Sequence, residues 1–290
     1  MSTVVTQSGF AKPFDADGQP YPRFEQNIPA LRSFYLAYGV GDSTPPDRHS
    51  ALIEILPGGQ SEDLSPNADL SPSNIPDGRL HVGLQDKNPG GENFFFETSH
   101  ALLSIPGARR FQVRDVGSTG LAVRKLSIPK SGPVFPSYVF ALVGFKLFFT
   151  GGRDHHLDRI GVWFRGNDEL HVAMRDKNGD DVFGYLVDFI AIPTPLAGFN
   201  LSTGIRRGNA RGGERISVPR PPNTNFLLTG WAFNFVRSDH HIRDLGVLRR
   251  GDNIDLFYGD KNADDLFDWR VEWMHLGQMV LAPSSSTISV

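Results

Sequence analysis

The sequence contains no cysteine. This absence excludes disulfide bonds, zinc sites with thiolate ligands and cysteine nucleophiles. No run of about 18 apolar residues occurs, so we predict no membrane-spanning helix and no membrane insertion. The formal net charge is −3, which leaves no basic excess to favour nucleic acid or an anionic membrane as a partner.

Short motifs that are typical of enzymes are also missing. The chain has no G-x-S-x-G elbow, no P-loop and no dinucleotide-binding fingerprint. We therefore predict that it is not an enzyme. The first residues lack a basic segment followed by an apolar stretch, so no secretory signal is expected. This predicts a cytoplasmic protein, although a component of an exported particle would look the same.

What the chain does contain is typical of β-structure. It has 22 phenylalanines, 31 glycines and 21 prolines, and segments with a helical period are scarce. Aromatic and β-branched residues that alternate with polar ones, bounded by glycine and proline, are typical of strands and turns. The composition therefore predicts an all-β protein.

A repeated segment organises the chain. RDHHLDRIGV begins at Arg153 and SDHHIRDLGV begins at Ser238, and the two Asp residues of the motif are 85 residues apart. A weaker copy upstream contains DRH in place of DHH. In all three copies a DKN motif follows, after 22 residues in the middle copy, 21 in the last and 39 in the first. The additional residues of the first copy predict an inserted surface loop.

The fold class that we predict is all-β, with three tandem β-sandwich-like repeats of antiparallel, Greek-key type and pseudo-threefold internal similarity. The sequence leaves open whether the repeats are separate beads or one body. The predicted boundaries are an N-terminal arm at 1–24, repeat 1 at 25–107 with its inserted loop at 57–78, repeat 2 at 108–195, repeat 3 at 196–279 and a C-terminal tail at 280–290.

Alternation predicts the core faces of the strands, because residues two apart in a strand share one face. The predicted core residues before each DHH or DRH motif are Phe34, Leu36 and Tyr38; Phe145, Leu147 and Phe149; and Trp231, Phe233 and Phe235. Trp269 and Trp273 follow the same pattern in the last repeat. His81 and His171 are out of phase with it, so we expect them on the outer face.

The DKN segments allow two interpretations. Asn and Gly suit a hairpin turn, in which an Asp side chain caps its own turn. Oxygen-bearing side chains at alternate positions also resemble part of a calcium loop, but calcium needs about 6–8 oxygens, so other segments would have to contribute. The candidate calcium ligands are Asp176, Asn178 and Asp180; Asp260, Asn262 and Asp264; and Asp86 and Asn88.

The DHH segments allow three interpretations. The letters resemble the DHH phosphoesterases, whose further acidic and histidine motifs and α/β scaffold this chain does not supply. Imidazoles from three repeats could converge on a transition metal. The simplest interpretation is structural, with Asp accepting backbone N–H bonds where the next strand begins. The residues concerned are Asp47, His49, Asp154, His156, Asp239 and His241.

Two further features suggest binding. Trp163 is out of phase with the core face and is therefore a candidate for stacking on a ligand such as a sugar. The segment RRGNARGG, at 206–213, is rich in Gly and Arg, and we predict a basic loop there.

These observations favour a non-catalytic structural or adaptor protein that presents β-sandwich surfaces to other protein subunits within a larger assembly. The alternative is a lectin-like carbohydrate-binding protein, assisted by calcium at the DKN segments. A metal-dependent hydrolase is the third candidate.

Overall fold

All the regular structure that can be described in this chain is β-strand. It is taken from a computed structural model, which describes residues 4–11, 23–27, 34–42, 50–58, 61–65, 79–86, 94–102, 105, 107–128, 137–150, 156–177, 179, 181–196, 198–235, 242–260 and 266–278. The predicted all-β class is confirmed. None of these residues belongs to a helix that could cross a membrane.

The described residues form eighteen strands. The N-terminal part holds β1 (Val4–Ala11), β2 (Arg23–Asn27), β3 (Phe34–Asp42), β4 (Ser50–Pro57), β5 (Glu62–Asp63), β6 (Arg79–Asp86) and β7 (Phe94–Leu102). The middle part holds β8 (Arg109–Lys125), β9 (Ser137–Phe149), β10 (Leu157–Arg165), β11 (Glu169–Asp176) and β12 (Val182–Thr194). The last part holds β13 (Phe199–Arg211), β14 (Gly213–Ser217), β15 (Thr224–Phe235), β16 (Ile242–Arg250), β17 (Asn253–Asp260) and β18 (Leu266–Gln278).

Backbone pairing places these strands in three sheets. Sheet I runs β2, β6, β4, β9, β12 and then residues 109–119 of β8. Sheet II runs from residues 120–125 of β8 through β11, β10, β15 and β18 to β13. Sheet III runs β14, β17, β16, β3, β7 and β1. All of these pairs are antiparallel, as the sequence predicts.

Each sheet combines strands from two of the predicted repeats. The pairs that join one repeat to another are β4 with β9, β10 with β15, and β16 with β3. The repeats are therefore hydrogen-bonded into one body and are not separate beads. Each predicted repeat supplies strands to two different sheets, which is the two-layered arrangement expected of a sandwich-like unit.

Two corners of the body are formed by strands that pass from one sheet to the next. β8 leaves sheet I and enters sheet II near Gly117 and Gly120, whose φ angles of 107° and 64° favour glycine. β13 and β14 pass from sheet II to sheet III around Gly212. We call β8 and β13 the corner strands, because each lies where the chain passes from one sheet to the next. Their pairing is also similar, since β8 pairs with β12 as β13 pairs with β18.

The core lies between the inner faces of the sheets. The alternating residues predicted for β9 and β15 are buried there. The rings of Phe145 on β9 and Trp231 on β15 are 5.3 Å apart, so the core is continuous from one predicted repeat to the next. Trp269 and Trp273 are buried as predicted.

Three segments differ from the sequence-based expectation. β1 lies in the predicted arm, but it pairs with β7 along its whole length. β5 is a short strand within the predicted inserted loop. The prediction of a basic loop at 206–213 is wrong, since most of it lies in β13, which pairs with β18 over its entire length. Backbone hydrogen bonding here outweighs a composition rich in glycine.

Candidate functional site

In the middle predicted repeat, the last residue of the DHH motif lies beside the start of the DKN motif, which the sequence did not reveal. β10 begins at Leu157, directly after His156, and Leu157 pairs with Asp176 at the end of β11. The backbone N–H of Lys177 donates to the carbonyl oxygen of His156 at 3.0 Å. The corresponding pairs in the other predicted repeats are Ile242 with Asp260 and Ser50 with Asp86.

Asp176 has the geometry of a turn-capping residue. Its side chain is 1% exposed, and its carboxylate accepts the N–H of Gly179 at 3.2 Å. The same N–H lies 3.1 Å from the carbonyl oxygen of Asp176, which closes a tight turn. Among the described side chains there is no group of three His, Asp or Glu residues placed to hold a metal ion. Calcium binding at the DKN segments stays a prediction.

Most of the other predicted ligands cannot be placed. Asp86 and Asp260 are located only as the final residues of β6 and β17. The remaining ones lie outside the described residues: Asn88, Asn178, Asp180, Asn262, Asp264, Asp47, His49, Asp154, Asp239 and His241. Convergence of the three DHH or DRH segments is thus still a hypothesis.

Trp163 lies on the outer face of sheet II and is half-buried. Its ring stacks on the His171 ring at a centroid distance of 5.2 Å, and the Arg270 guanidinium carbon lies 5.7 Å from its centroid. A Cβ added at Gly230 would come within 2.7 Å of the Trp163 Cβ, so glycine is what allows β15 to approach here. Ligand stacking on Trp163 stays a prediction.

His81 and His171, both predicted for the outer face, are buried. His171 stacks on Trp163, which lies on the outer face of sheet II, so neighbouring side chains cover its ring there. His171 lies beneath Trp163 and its Nε2 is 3.2 Å from Oε2 of Glu169. His81 Nδ1 lies 3.9 Å from Oε1 of the buried Glu54. Cross-strand neighbours cover both rings, and phase along one strand does not predict that cover.

The edge of corner strand β8 is occupied by an acidic segment. β5 pairs with it in parallel, with Glu62 beside Phe111 and Asp63 beside Gln112. The N–H of Leu64 donates to the Gln112 carbonyl at 2.9 Å, which continues this pairing beyond β5.

Arginines of β8 hold the acidic side chains of β5. Arg109 Nε donates to Glu62 Oε1 at 2.8 Å, and this hydrogen bond raises the pKa of the arginine. Arg114, whose side chain is 5% exposed, pairs with Asp63. Because Arg114 is buried, its pair with Asp63 matters more to stability than an exposed ion pair would.

A third arginine of β8, Arg110, ties the inserted segment to β12. Arg110 Nε donates to Asp188 Oδ1 at 2.8 Å, and its other nitrogens donate to the carbonyl oxygens of Pro57 and Gly58 at 2.8 Å each. Asp188 is 1% exposed. Burial raises the pKa of Asp188, and the charge and hydrogen bonds of Arg110 oppose that shift.

The second corner strand, β13, is also rich in arginine but is open to solvent. Arg206, Arg207 and Arg211 are all exposed. In the described part of the chain β13 pairs along its length with β18 alone, apart from one contact with β14 at the corner. Its second edge therefore has no strand partner among the described residues.

Tryptophans of β18 lie across the glycines of β13. A Cβ added at Gly204 would meet the Trp273 ring at 2.4 Å, and one at Gly208 would meet the Trp269 ring at 2.6 Å. Trp269 Nε1 donates to Glu214 Oε2 at 2.6 Å. The rings thus pack directly onto the backbone of β13 at its two glycines.

The corner of β8 also carries exposed apolar side chains. Val116, Leu121 and Val123 on β8 and Val182 at the start of β12 are exposed, with 43% of Leu121 and 54% of Val123 accessible. Val182 pairs with Thr119, which lies between Val116 and Leu121 along β8. We call these four residues the apolar strip.

The geometry therefore defines an all-β protein with antiparallel sheets and two arginine-rich corner strands. No family model matches the chain, and a search of curated proteins returned no match. One solved structure with some similarity is a chain of the Sulfolobus turreted icosahedral virus, at 8% sequence identity and a TM-score of 0.18, covering 96% of this chain and 91% of that chain.

Proposed function

We propose that the chain is a non-catalytic structural or adaptor protein that presents the surfaces of its β-sheets to other protein subunits in an assembly. The observation that carries the proposal is the apolar strip. Isolated exposed apolar residues are ordinary, but several together on one surface are typical of sites that contact other proteins.

The position of the strip supports this function. β8 is hydrogen-bonded in sheet I through β12 and in sheet II through β11, so the strip lies on a corner that two sheets hold rigid. A rigid apolar surface loses little conformational entropy when it binds, which favours association. Three of its residues also belong to a single strand, which suits contact with a neighbouring subunit.

Size-exclusion chromatography with light scattering tests the proposal. We expect the wild-type chain to have a mass above 32.0 kDa that rises with concentration. Leu121→Asp combined with Val123→Asp should return it to 32.0 kDa with an unchanged melting temperature, because both side chains are exposed. Ile205→Asp, at an exposed apolar residue of β13, is the matched control and should leave the mass as in wild type.

A wild-type chain that stays at 32.0 kDa over the whole concentration range would contradict self-association through the strip. Equal loss of mass in Ile205→Asp would show that any exposed apolar residue has this effect. Carbohydrate binding and calcium binding remain predictions from the sequence, each with its own candidate residues as given above.

A further inference from the structure

We infer that the open edge of β13 binds an acidic, extended segment of a partner protein, which joins sheet II as an added parallel strand. This inference rests on the proposed function, since it names the chemistry of one partner. The recognition mode is strand addition, in which backbone hydrogen bonds provide affinity and side chains provide specificity.

The chain contains an example of this binding mode. β5 joins the edge of β8 in parallel, and its two residues are both acidic. Arg109 and Arg114 of β8 bind these two carboxylates. An arginine-bearing corner strand that receives an acidic strand is therefore a geometry that this fold already uses.

The two corner strands match residue by residue. Arg114 pairs with Leu186 of β12, and Arg207 pairs with Arg270 of β18. Leu186 and Arg270 correspond in the repeat alignment, which sets Phe183 beside Phe267 and Val187 beside Val271. Arg207 therefore stands at the place from which Arg114 binds Asp63.

The difference between the two edges follows from the length of one connection between strands. β5 lies in the long connection between β4 and β6, and those two strands belong to sheet I, which also contains β12 and β8. The connection at the corresponding place beside β13 is the turn 166–168 between β10 and β11. Three residues are too short to extend along β13, so no described connection of this chain takes the place on β13 that β5 takes on β8.

The charge of the edge selects an acidic occupant. Arg206 and Arg207 point to opposite faces of the strand, as neighbours in a strand do, so both faces of the open edge are basic. A second copy of β13 paired antiparallel would bring arginines of two chains together, and their repulsion disfavours that pairing. The phosphates of a nucleic acid would neutralise the arginines, but they only accept hydrogen bonds and so leave the carbonyl oxygens of the edge without the regular donors that an added strand provides.

The direct test is an NMR titration of the full ¹⁵N-labelled chain with the peptide GQSEDLSPN, the sequence of residues 59–67. We expect amide shifts concentrated on β13 and β18, and their loss at about 0.5 M salt because exposed charge pairs are screened. The control peptide, GQSQNLSPN, keeps the length and backbone but lacks both carboxylates. Equal shifts with it, or shifts confined to β8, would overturn the inference.

Variants of β13 provide the second measurement. Arg206→Glu with Arg207→Glu should weaken binding of the acidic peptide about tenfold or more, because attraction becomes repulsion. Arg165→Glu, an exposed arginine at the end of β10, is the matched control and should bind as wild type does. Unchanged binding in the double variant would overturn the inference, as would a single-stranded oligonucleotide that competes fully with the peptide.

The outcome is separable from that of the proposed function. A chain that self-associates through the apolar strip but does not bind the acidic peptide keeps the proposed function and loses this inference. A chain that binds the peptide at β13 but stays at 32.0 kDa keeps the inference and loses self-association through the strip.

Discussion

The two corner strands occupy the same place in their sheets and have opposite environments. Residues 111–114 of β8 are buried, whereas most of β13 is exposed. Where β8 has the fully buried Phe111 and Val113, β13 has Gly204 and the exposed Arg206. The pairing of β8 with β12 and of β13 with β18 is equivalent in register from Arg109 to Val116 of β8.

The difference shows what an insertion can do in a repeated fold. The inserted segment of the first predicted repeat covers one edge of β8 and receives hydrogen bonds from Arg110 through Pro57 and Gly58. The covered strand carries the buried Phe111 and Val113. β13 has no such cover among the described residues, and exposed edges in proteins are commonly protected by charge.

Among the variants that test this comparison, Arg110→Ala should lower the free energy of unfolding most. It leaves Asp188 buried without its cation and removes the bonds to Pro57 and Gly58, so we expect a loss of about 3–5 kcal/mol in the free energy of unfolding. Urea denaturation measures it. Arg207→Ala on β13 is the matched control.

The same variant should make stability depend on pH. Burial already raises the pKa of Asp188, and removing Arg110 raises it further. A carboxyl whose pKa is higher in the folded state binds protons more readily when folded, so stability falls as pH rises from the unfolded pKa to the folded one. We expect the variant to be more stable in mild acid than at neutral pH, and the reverse order would contradict the buried pair.

Asp63→Asn should have the next largest effect. It leaves the buried Arg114 without its anionic partner, which costs about 1–3 kcal/mol in the free energy of unfolding. Hydrogen exchange should show faster exchange at the N–H of Leu64, which is bonded to Gln112. Glu62→Gln, at the more exposed pair, should cost less than about 1 kcal/mol. Equal effects of both variants would mean that burial does not distinguish the two pairs.

Gly208→Ala tests the packing of the Trp269 ring on the backbone of β13. It should lower the free energy of unfolding by about 1 kcal/mol or slightly more, as overpacking does. The added Cβ would force the Trp269 ring to move, which disturbs its hydrogen bond to Glu214. Tryptophan fluorescence and urea denaturation measure the two consequences. Asn209→Ala, at the exposed neighbour, is the control; a change of similar size there would contradict ring displacement as the cause.

Arg207→Ala should have the smallest effect, within about 0.5 kcal/mol of wild type, because exposed substitutions away from specific contacts are nearly neutral. Glu272 is nearby, and burial raises its pKa while the charges of Arg270 and Arg207 oppose that shift. A large loss of stability in urea would show that Arg207 holds the fold together and is not available to a partner.

Local patterns in the sequence were sufficient for the fold class and the core. Phe145, Leu147 and Phe149 alternate, and all three are buried, because side chains two apart in a strand share a face whatever the strand pairs with. The same logic placed Trp269 and Trp273 correctly. It also predicted the outer face for His171, but it could not show that Trp163 on the neighbouring strand covers that ring.

The candidate interaction sites required the tertiary structure. Composition alone indicated a loop where β13 lies, and no local pattern could show that β5 binds β8 or that β10 pairs with β15. The sequence by itself determined the all-β class and the inner faces of strands such as β9, β15 and β18, since these depend on alternation and residue type. Only the tertiary structure decided which edge is covered and which is open, because strand partners are chosen by contacts between segments far apart in the chain.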